Sequence, residues 1–216
     1  MAAILCFGAS GTYGVGGQRG GWPEYLKEVL HQAQYGPRGS GEWHEVFNLG
    51  VAGHGVDDVS ARLSAEVSAR RRAIQPKVIS IISVGLNDSR AVERSDNFVS
   101  TPEAYQEKMS RLFVEARAIC DSTLALGFAP VDERRTCPKI QPVTGHKSFF
   151  TNERAELFES RLLAAAEEAG VPGLPLFQEA IRAGWSDKLS ADGLHPNDAG
   201  YQWIAERVLA GIREIL

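Results

Sequence analysis

The sequence is poor in cysteine, and the cysteines it has are not spaced for a shared role. Cys6, Cys120 and Cys137 are an odd number without a C-x-x-C pair, and Cys6 lies in an apolar stretch typical of a buried strand. A disulfide framework needs paired cysteines, and a zinc site needs clustered ones. The sequence therefore indicates neither a disulfide-stabilised fold nor a zinc site.

A hydrophobic run of membrane-spanning length is also missing. The chain has 216 residues, 44% of them hydrophobic, but no run approaches the roughly 18 apolar residues of a spanning helix. The first residues, Met1 to Phe7, have neither the basic region nor the long apolar region of a secretory signal. We therefore expect a single domain over residues 1–216, located in the cytoplasm and without a membrane span.

Positive charge is not concentrated in any extended segment. The formal net charge is −4 at pH 7, and lysines and arginines are interspersed with acidic residues. The one basic run, Arg70-Arg71-Arg72, falls where a helical pattern ends, and cations at that position interact favourably with the helix dipole. Nucleic acid is therefore not expected as a partner.

Short apolar segments alternate with longer amphipathic ones along the chain. They predict strands over 3–7, 45–49, 77–84 and 122–127, and helices over 22–35, 56–73, 102–119, 151–169 and 197–215. Segment 77–84 is almost continuously apolar, as a central parallel strand should be. A fifth strand is predicted near 174–177, where two prolines, one before the segment and one within it, argue for a position at an edge. The pattern predicts an α/β fold, a parallel sheet of about five strands with helices on both faces.

Residues suited to chemistry follow the predicted strands. Ligands of open parallel sheets bind beyond the carboxyl ends of the strands. Ser10 lies in a glycine-flanked turn after the first strand, Gly53 and His54 follow the second, and Asn87 follows the third. Taken singly, a glycine-rich turn is more often explained by tight backbone geometry alone, and an asparagine here is equally well explained as the cap of a turn.

An acid and a histidine near the end of the chain are spaced for mutual hydrogen bonding. Asp192 and His195 are three residues apart, and Pro196 follows directly. This spacing lets the carboxylate accept from the imidazole Nδ1 and leaves Nε2 free as a base toward a serine. We expect Pro196 to begin the last helix.

Together, these segments resemble the four sequence blocks of the SGNH (GDSL-like) hydrolase family. In the family's order they are Gly8-Ala9-Ser10, Gly53, Gly85-Leu86-Asn87-Asp88 and the segment from Asp192 to Pro196. Ala9 stands where the motif has aspartate, and Gly11 stands where leucine is usual. Because that aspartate is not a member of the catalytic triad, the difference bears on loop packing and not on the chemistry.

The resemblance implies a flavodoxin-like three-layer α/β/α fold and a serine esterase. Its triad would be Ser10, His195 and Asp192. Its oxyanion hole would be formed by the backbone N–H groups of Ser10 and Gly53 and the side-chain amide of Asn87. Ser10 would attack a small-molecule carboxylic ester and form an acyl-enzyme. No metal or organic cofactor is expected.

Three further residues are candidates for the substrate pocket, and two other functions stay open. His54 adjoins Gly53, while Phe149 and Phe150 lie in the irregular segment 129–150, which is long enough to form a lid. Acyl transfer to an acceptor other than water would use the same site. A non-catalytic binding module would instead hold an anion in the loop after the first strand, but that loop lacks the lysine and the glycine spacing of phosphate-binding loops.

Overall fold

The computed structural model describes residues 1–39, 43–213 and 215–216, in which strands and helices alternate. The elements in chain order are β1 (Ala2–Gly8), α1 (Ser10–Tyr13), α2 (Trp22–Tyr35), β2 (His44–Gly50), α3 (Val56–Arg70), β3 (Lys77–Ser83), α4 (Leu86–Ser89), β4 (Ala91–Val92), α5 (Pro102–Ile119), β5 (Ser122–Leu126), α6 (Glu133–Thr136), β6 (Lys139–Ile140), β7 (Lys147–Phe149), α7 (Asn152–Glu168), β8 (Gly173–Leu174), α8 (Phe177–Arg182), a 3-10 turn (Trp185–Lys188) and α9 (Asp198–Ile212).

Five of the strands form a parallel sheet in the order β2-β1-β3-β5-β8. Gly8 at the end of β1 lies opposite Gly50 of β2 and Ser83 of β3. The strand order reverses direction between β1 and β3, and such a reversal opens a crevice at the carboxyl ends of the strands. The predicted three-layer α/β/α fold is confirmed, with β3 at the centre of the sheet and the weak fifth strand at its edge.

Helices cover both faces of the sheet, which explains the continuously apolar strands. Ala3, Leu5 and Phe7 of β1 pack with α3, α5 and α7 on one face. The alternating residues of β1 pack with α2 and α9 on the other face. All side chains of β1 are therefore buried. No helix among the described residues is long and apolar enough to cross a membrane.

Several helix boundaries differ from the prediction by one to three residues, and two of the differences have a local cause. Helix α3 ends at Arg70 because Arg71 adopts extended backbone angles. Pro196 does not begin the last helix, since Asn197 is the N-cap and its side chain accepts a hydrogen bond from the backbone N–H of Gly200. Asparagine at the N-cap satisfies a free helix N–H, and the helix therefore starts two residues after the proline.

The irregular segment 129–150 contributes to a second, smaller sheet. Strands β4, β7 and β6 pair antiparallel in that order, and we call this the accessory sheet. A hydrogen bond joins the chain before β6 to the chain after β7, because the hydroxyl of Thr136 donates to the carbonyl of Phe150 at 2.8 Å. Asn152 similarly donates to the carbonyl of Val131 at 3.0 Å.

Candidate active site

Ser10 lies directly after the carboxyl end of β1, in a turn that requires glycine two residues earlier. A Cβ on Gly8 would lie 2.1 Å from Oγ1 of Thr12 and 2.6 Å from the carbonyl oxygen of Ser83. Without a side chain at Gly8, the chain turns sharply from β1 into α1. The Ser10 side chain is therefore held at the crevice between β1 and β3.

Ser10, His195 and Asp192 form a hydrogen-bonded chain. Oγ of Ser10 is 2.8 Å from Nε2 of His195, and Nδ1 of His195 is 2.6 Å from Oδ2 of Asp192. A carboxylate only accepts hydrogen bonds, so Nδ1 carries the proton and Nε2 is the acceptor for the serine hydroxyl. This arrangement allows His195 to remove the Ser10 proton.

The carboxylate of Asp192 is held by several donors. Its Oδ1 accepts from the backbone N–H groups of Leu194 and His195, both at 2.9 Å, and from the Ser190 hydroxyl at 2.8 Å. Partial burial alone would raise the pKa of Asp192, but the hydrogen bonds from His195 and from the backbone lower it well below its usual range. Asp192 is therefore ionised at neutral pH.

Lys139 is a neighbour of Asp192 that the sequence reasoning missed. Its Nζ lies 3.0 Å from Oδ2 of Asp192, the same oxygen that accepts from His195. Lys139 belongs to β6 of the accessory sheet, 53 residues earlier in the chain. No local sequence signal marks it, because its position depends on how the irregular segment folds.

Asn87 faces the same crevice, and two neighbours fix its orientation. Its Nδ2 donates to the carbonyl of His54 at 2.9 Å, and its Oδ1 accepts from Nη1 of Arg90 at 2.7 Å. Since a backbone carbonyl only accepts and an arginine only donates, the amide fits in one orientation. One N–H of Asn87 remains for a ligand in the pocket that it lines with Ser10.

The loop after β2 contributes less directly. Gly53 is exposed and has a φ of +86°, a backbone conformation that favours glycine. Neither Gly53 nor His54 belongs to the lining of the Ser10 pocket. His54 is half-buried, and its Nδ1 has no hydrogen-bond partner among the described residues. The oxyanion role of Gly53 and the pocket role of the His54 side chain stay predictions.

The pocket beside Ser10 and His195 is small and largely apolar, with a volume of about 90 Å³. Among its apolar lining residues are Trp22, Leu126, Phe128, Phe150, Leu176 and Ile204. Phe150 was a sequence candidate for this pocket, and the structure places it there. Phe149, the neighbouring candidate, is half-buried and lies outside the lining.

Glu159 holds one wall of this pocket from behind. Its Oε1 accepts from the backbone N–H groups of Phe128, Leu176 and Phe177 at 2.9, 2.8 and 3.1 Å. Burial raises the pKa of Glu159, although these hydrogen bonds partly oppose the rise. No sequence pattern marks this role, because Glu159 lies in an amphipathic helix where an acid is ordinarily exposed.

Potential metal ligands are not clustered in the described part of the chain. No group of three or more histidine, cysteine or acidic side chains there is arranged to hold a metal ion. Cys6, Cys120 and Cys137 are all free thiols, and the first two are buried. Among the described residues, the structure therefore shows no candidate metal site beside Ser10 or elsewhere.

Comparison with known proteins identifies relatives in both sequence and fold. The model of the GDSL-like lipase/acylhydrolase family matches residues 6–203. The GDSL lipase Rv0518 of Mycobacterium tuberculosis is 26% identical over 172 residues, which cover 76% of this chain and 62% of that protein. This chain thus spans less than two thirds of the length of that relative.

Two solved structures share the fold. A lipase/acylhydrolase from Enterococcus faecalis superposes with a TM-score of 0.75 at 20% identity, covering 100% of this chain and 97% of that one. Axe2, an acetylxylan esterase from Geobacillus stearothermophilus, gives a TM-score of 0.66 at 19% identity, covering 98% of this chain and 94% of that one. These likenesses concern the fold, whereas the family match extends over nearly the whole sequence. The chain belongs to the GDSL-like lipase/acylhydrolase family.

Proposed function

We propose that the protein hydrolyses carboxylic esters through an acyl-enzyme on Ser10. The observation that carries this proposal is the hydrogen-bonded chain from Ser10 through His195 to Asp192. A serine hydroxyl is a weak nucleophile unless a base removes its proton during attack. His195 is placed to do so, and Asp192 holds it in the required tautomer.

The reaction proceeds in two halves. Oγ of Ser10 attacks the ester carbonyl while Nε2 of His195 takes the proton, which it then gives to the departing alkoxide. Water, deprotonated by His195, then attacks the acyl-enzyme. The bond from the acyl carbon to Oγ of Ser10 breaks, His195 returns the proton to Oγ, and the acid is released. The negative charge of Asp192 stabilises the imidazolium that exists between these proton transfers.

The oxyanion of each tetrahedral intermediate needs hydrogen-bond donors. We assign this role to the backbone N–H groups of Ser10 and Gly53 and to Nδ2 of Asn87. Asn87 supports the assignment most strongly, because it lines the Ser10 pocket and has a remaining N–H. Preorganised donors at this point typically contribute ~10²–10³ in kcat each.

The size of the pocket favours a short acyl group. Its volume of about 90 Å³ is below the ~150 Å³ of an engineered apolar cavity that accommodates benzene. An acyl chain of about two to four carbons fits such a space, whereas a longer chain would have to extend beyond it. The likeness in fold to an acetylxylan esterase agrees with this size.

The experiment that tests the proposal compares the wild type with Ser10→Ala. Each protein is incubated with a fluorophosphonate probe, the adduct is located by peptide mass spectrometry, and p-nitrophenyl acetate hydrolysis is followed in parallel. We expect labelling at Ser10 and a loss of at least ~10³-fold in kcat for the variant. Ser68→Ala, an exposed change on α3, is the matched control. A folded wild type without labelling or turnover would refute the proposal.

A further inference from the structure

Arg90 is a partly buried cation beside the Ser10 site that has no carboxylate partner among the described residues. Its Nη1 donates to Oδ1 of Asn87 at 2.7 Å, and its Nε is buried without a hydrogen-bond partner in the described part of the chain. Removing a guanidinium from water costs free energy unless the group gains compensating interactions. Among the described residues, the hydrogen bond to Asn87 is therefore the polar side-chain contact that compensates this charge.

The turn that carries Arg90 does not need its side chain. The backbone carbonyl of Arg90 accepts from the N–H of Val99 at 3.0 Å, and the backbone N–H of Ser89 donates to the carbonyl of Gly85 at 2.9 Å. The Ser89 hydroxyl also donates to the carbonyl of Leu86 at 2.8 Å. Since these bonds hold α4 and its connection to β4, the guanidinium is free for another role.

The Asn87 amide is held at both ends by this arrangement. Arg90 binds its oxygen, and the carbonyl of His54 binds one of its two N–H groups. Donation from a cation to the amide oxygen draws electron density away from the nitrogen, which makes the remaining N–H a stronger donor. That N–H belongs to a side chain lining the pocket of Ser10.

We infer that Arg90 is a positioning residue for the reaction, acting through Asn87. It fixes the amide so that Nδ2 faces the developing oxyanion, and its charge strengthens that hydrogen bond. The inference rests on the proposed function, in which Asn87 is an oxyanion donor. Because the effect is exerted on the transition state, it lowers the barrier to chemistry and leaves ester binding largely unchanged.

A double-mutant cycle tests whether Arg90 acts through Asn87. The rates of p-nitrophenyl acetate hydrolysis are measured for the wild type, Arg90→Met, Asn87→Ala and the double variant. We expect kcat to fall about tenfold in Arg90→Met with little change in KM, and ~10²–10³-fold in Asn87→Ala. The double variant should match Asn87→Ala within about twofold, since the two changes remove one interaction.

Two further variants separate this role from a merely structural one. Arg90→Lys keeps a charged donor and should recover part of the lost kcat. Arg111→Met removes an equal charge from an exposed position on α5 and should leave kcat unchanged. If Arg90→Met only weakened the fold, it would lower the activity of Asn87→Ala as well, and the two effects would multiply.

An NMR measurement reports on the same contact without requiring turnover. The side-chain amide signals of Asn87 are assigned by their disappearance in Asn87→Ala, and they should move in Arg90→Met but not in Arg111→Met. Unchanged amide signals, or multiplicative losses in the cycle, would overturn the inference while wild-type hydrolysis still stood. A wild type that neither hydrolyses esters nor labels at Ser10 would overturn the proposed function, and with it the part of Arg90 in catalysis.

Discussion

Replacing Asp192 by asparagine turns one carboxylate oxygen into an amide nitrogen, and the neighbours of the side chain determine which one. Oδ1 accepts hydrogen bonds from the backbone N–H groups of Leu194 and His195 and from the Ser190 hydroxyl. An NH₂ group at this position would face donors, so the amide oxygen stays there. The NH₂ group then occupies the place of Oδ2, between His195 and Lys139.

This orientation reverses the direction of the hydrogen bond between residue 192 and Nδ1 of His195. The new NH₂ group donates to Nδ1 of His195, so the ring proton moves to Nε2. Nε2 lies 2.8 Å from Oγ of Ser10, and once protonated it can no longer accept the serine proton. The His195 ring and Ser10 keep their places while His195 loses its function as a base, and the Lys139 ammonium turns away from the new NH₂ group because both are donors. A comparable change in a serine protease lowers kcat by ~10⁴. This corresponds to about 5 kcal/mol of barrier.

The assay for Asp192→Asn is p-nitrophenyl acetate hydrolysis, with the rate of fluorophosphonate labelling as a second measure. Both should fall by ~10⁴, while circular dichroism remains that of the wild type. Asp57→Asn, at an exposed position on α3, is the matched control and should retain full activity. Activity within about tenfold of the wild type would show that Asp192 does not set the tautomer of His195.

The same variant should differ from the wild type in the pH dependence of its stability. The pKa of Asp192 is lower in the folded protein than in the unfolded chain, so its ionised form stabilises the fold above a pH of about 4. That contribution is lost as the pH falls through the folded-state value. Urea unfolding should therefore show that Asp192→Asn lowers the free energy of unfolding more at about pH 6 than at about pH 3. An equal loss at both pH values would contradict this prediction.

Two other predictions concern the pocket. Glu159→Ala should lower the free energy of unfolding by roughly 3 kcal/mol, because three buried N–H groups lose their acceptor, whereas Glu159→Gln keeps one. Since burial raises the pKa of Glu159, the wild type should lose stability relative to Glu159→Gln as the pH rises from about 4 through the folded-state pKa. A difference in urea midpoint that does not change with pH would refute this. For p-nitrophenyl esters, kcat/KM should peak at about two to four acyl carbons, and Phe150→Ala should move the peak to longer chains. Equal rates for acetyl and octanoyl esters would show that this pocket does not limit the length of the acyl chain.

Much of the fold could be predicted from the sequence because the main strands and helices follow simple burial patterns. The bounds of α2 match the prediction, and the buried strand at 77–84 became the centre of the sheet. The accessory sheet was not predicted, because strands of two or three residues carry no periodicity. Its pairing depends on contacts between segments far apart in sequence, which local propensity does not encode.

The residues of the site also include some that could be predicted from the sequence and some that could not. Ser10, Asn87, Asp192 and His195 follow strands or precede a helix, so the sheet topology brought them together as expected. Lys139, Arg90 and Glu159 were missed, since each is a charged residue in a segment where a solvated charge is the usual interpretation. Their roles arise from tertiary packing, which brings each charge to a specific polar group.

The accessory sheet connects the two sides of the site, and this bears on the idea that segment 129–150 is a lid. Strand β4 directly follows α4, which carries Asn87, while β6 carries Lys139 to Asp192. Strand β7 pairs with both, and Phe150 immediately after it lines the pocket. A lid movement of the segment would break these strand pairs and separate Lys139 from Asp192 while the pocket opened. We therefore expect the segment to act as a fixed support that keeps Asp192, Asn87 and the pocket wall at Phe150 in place.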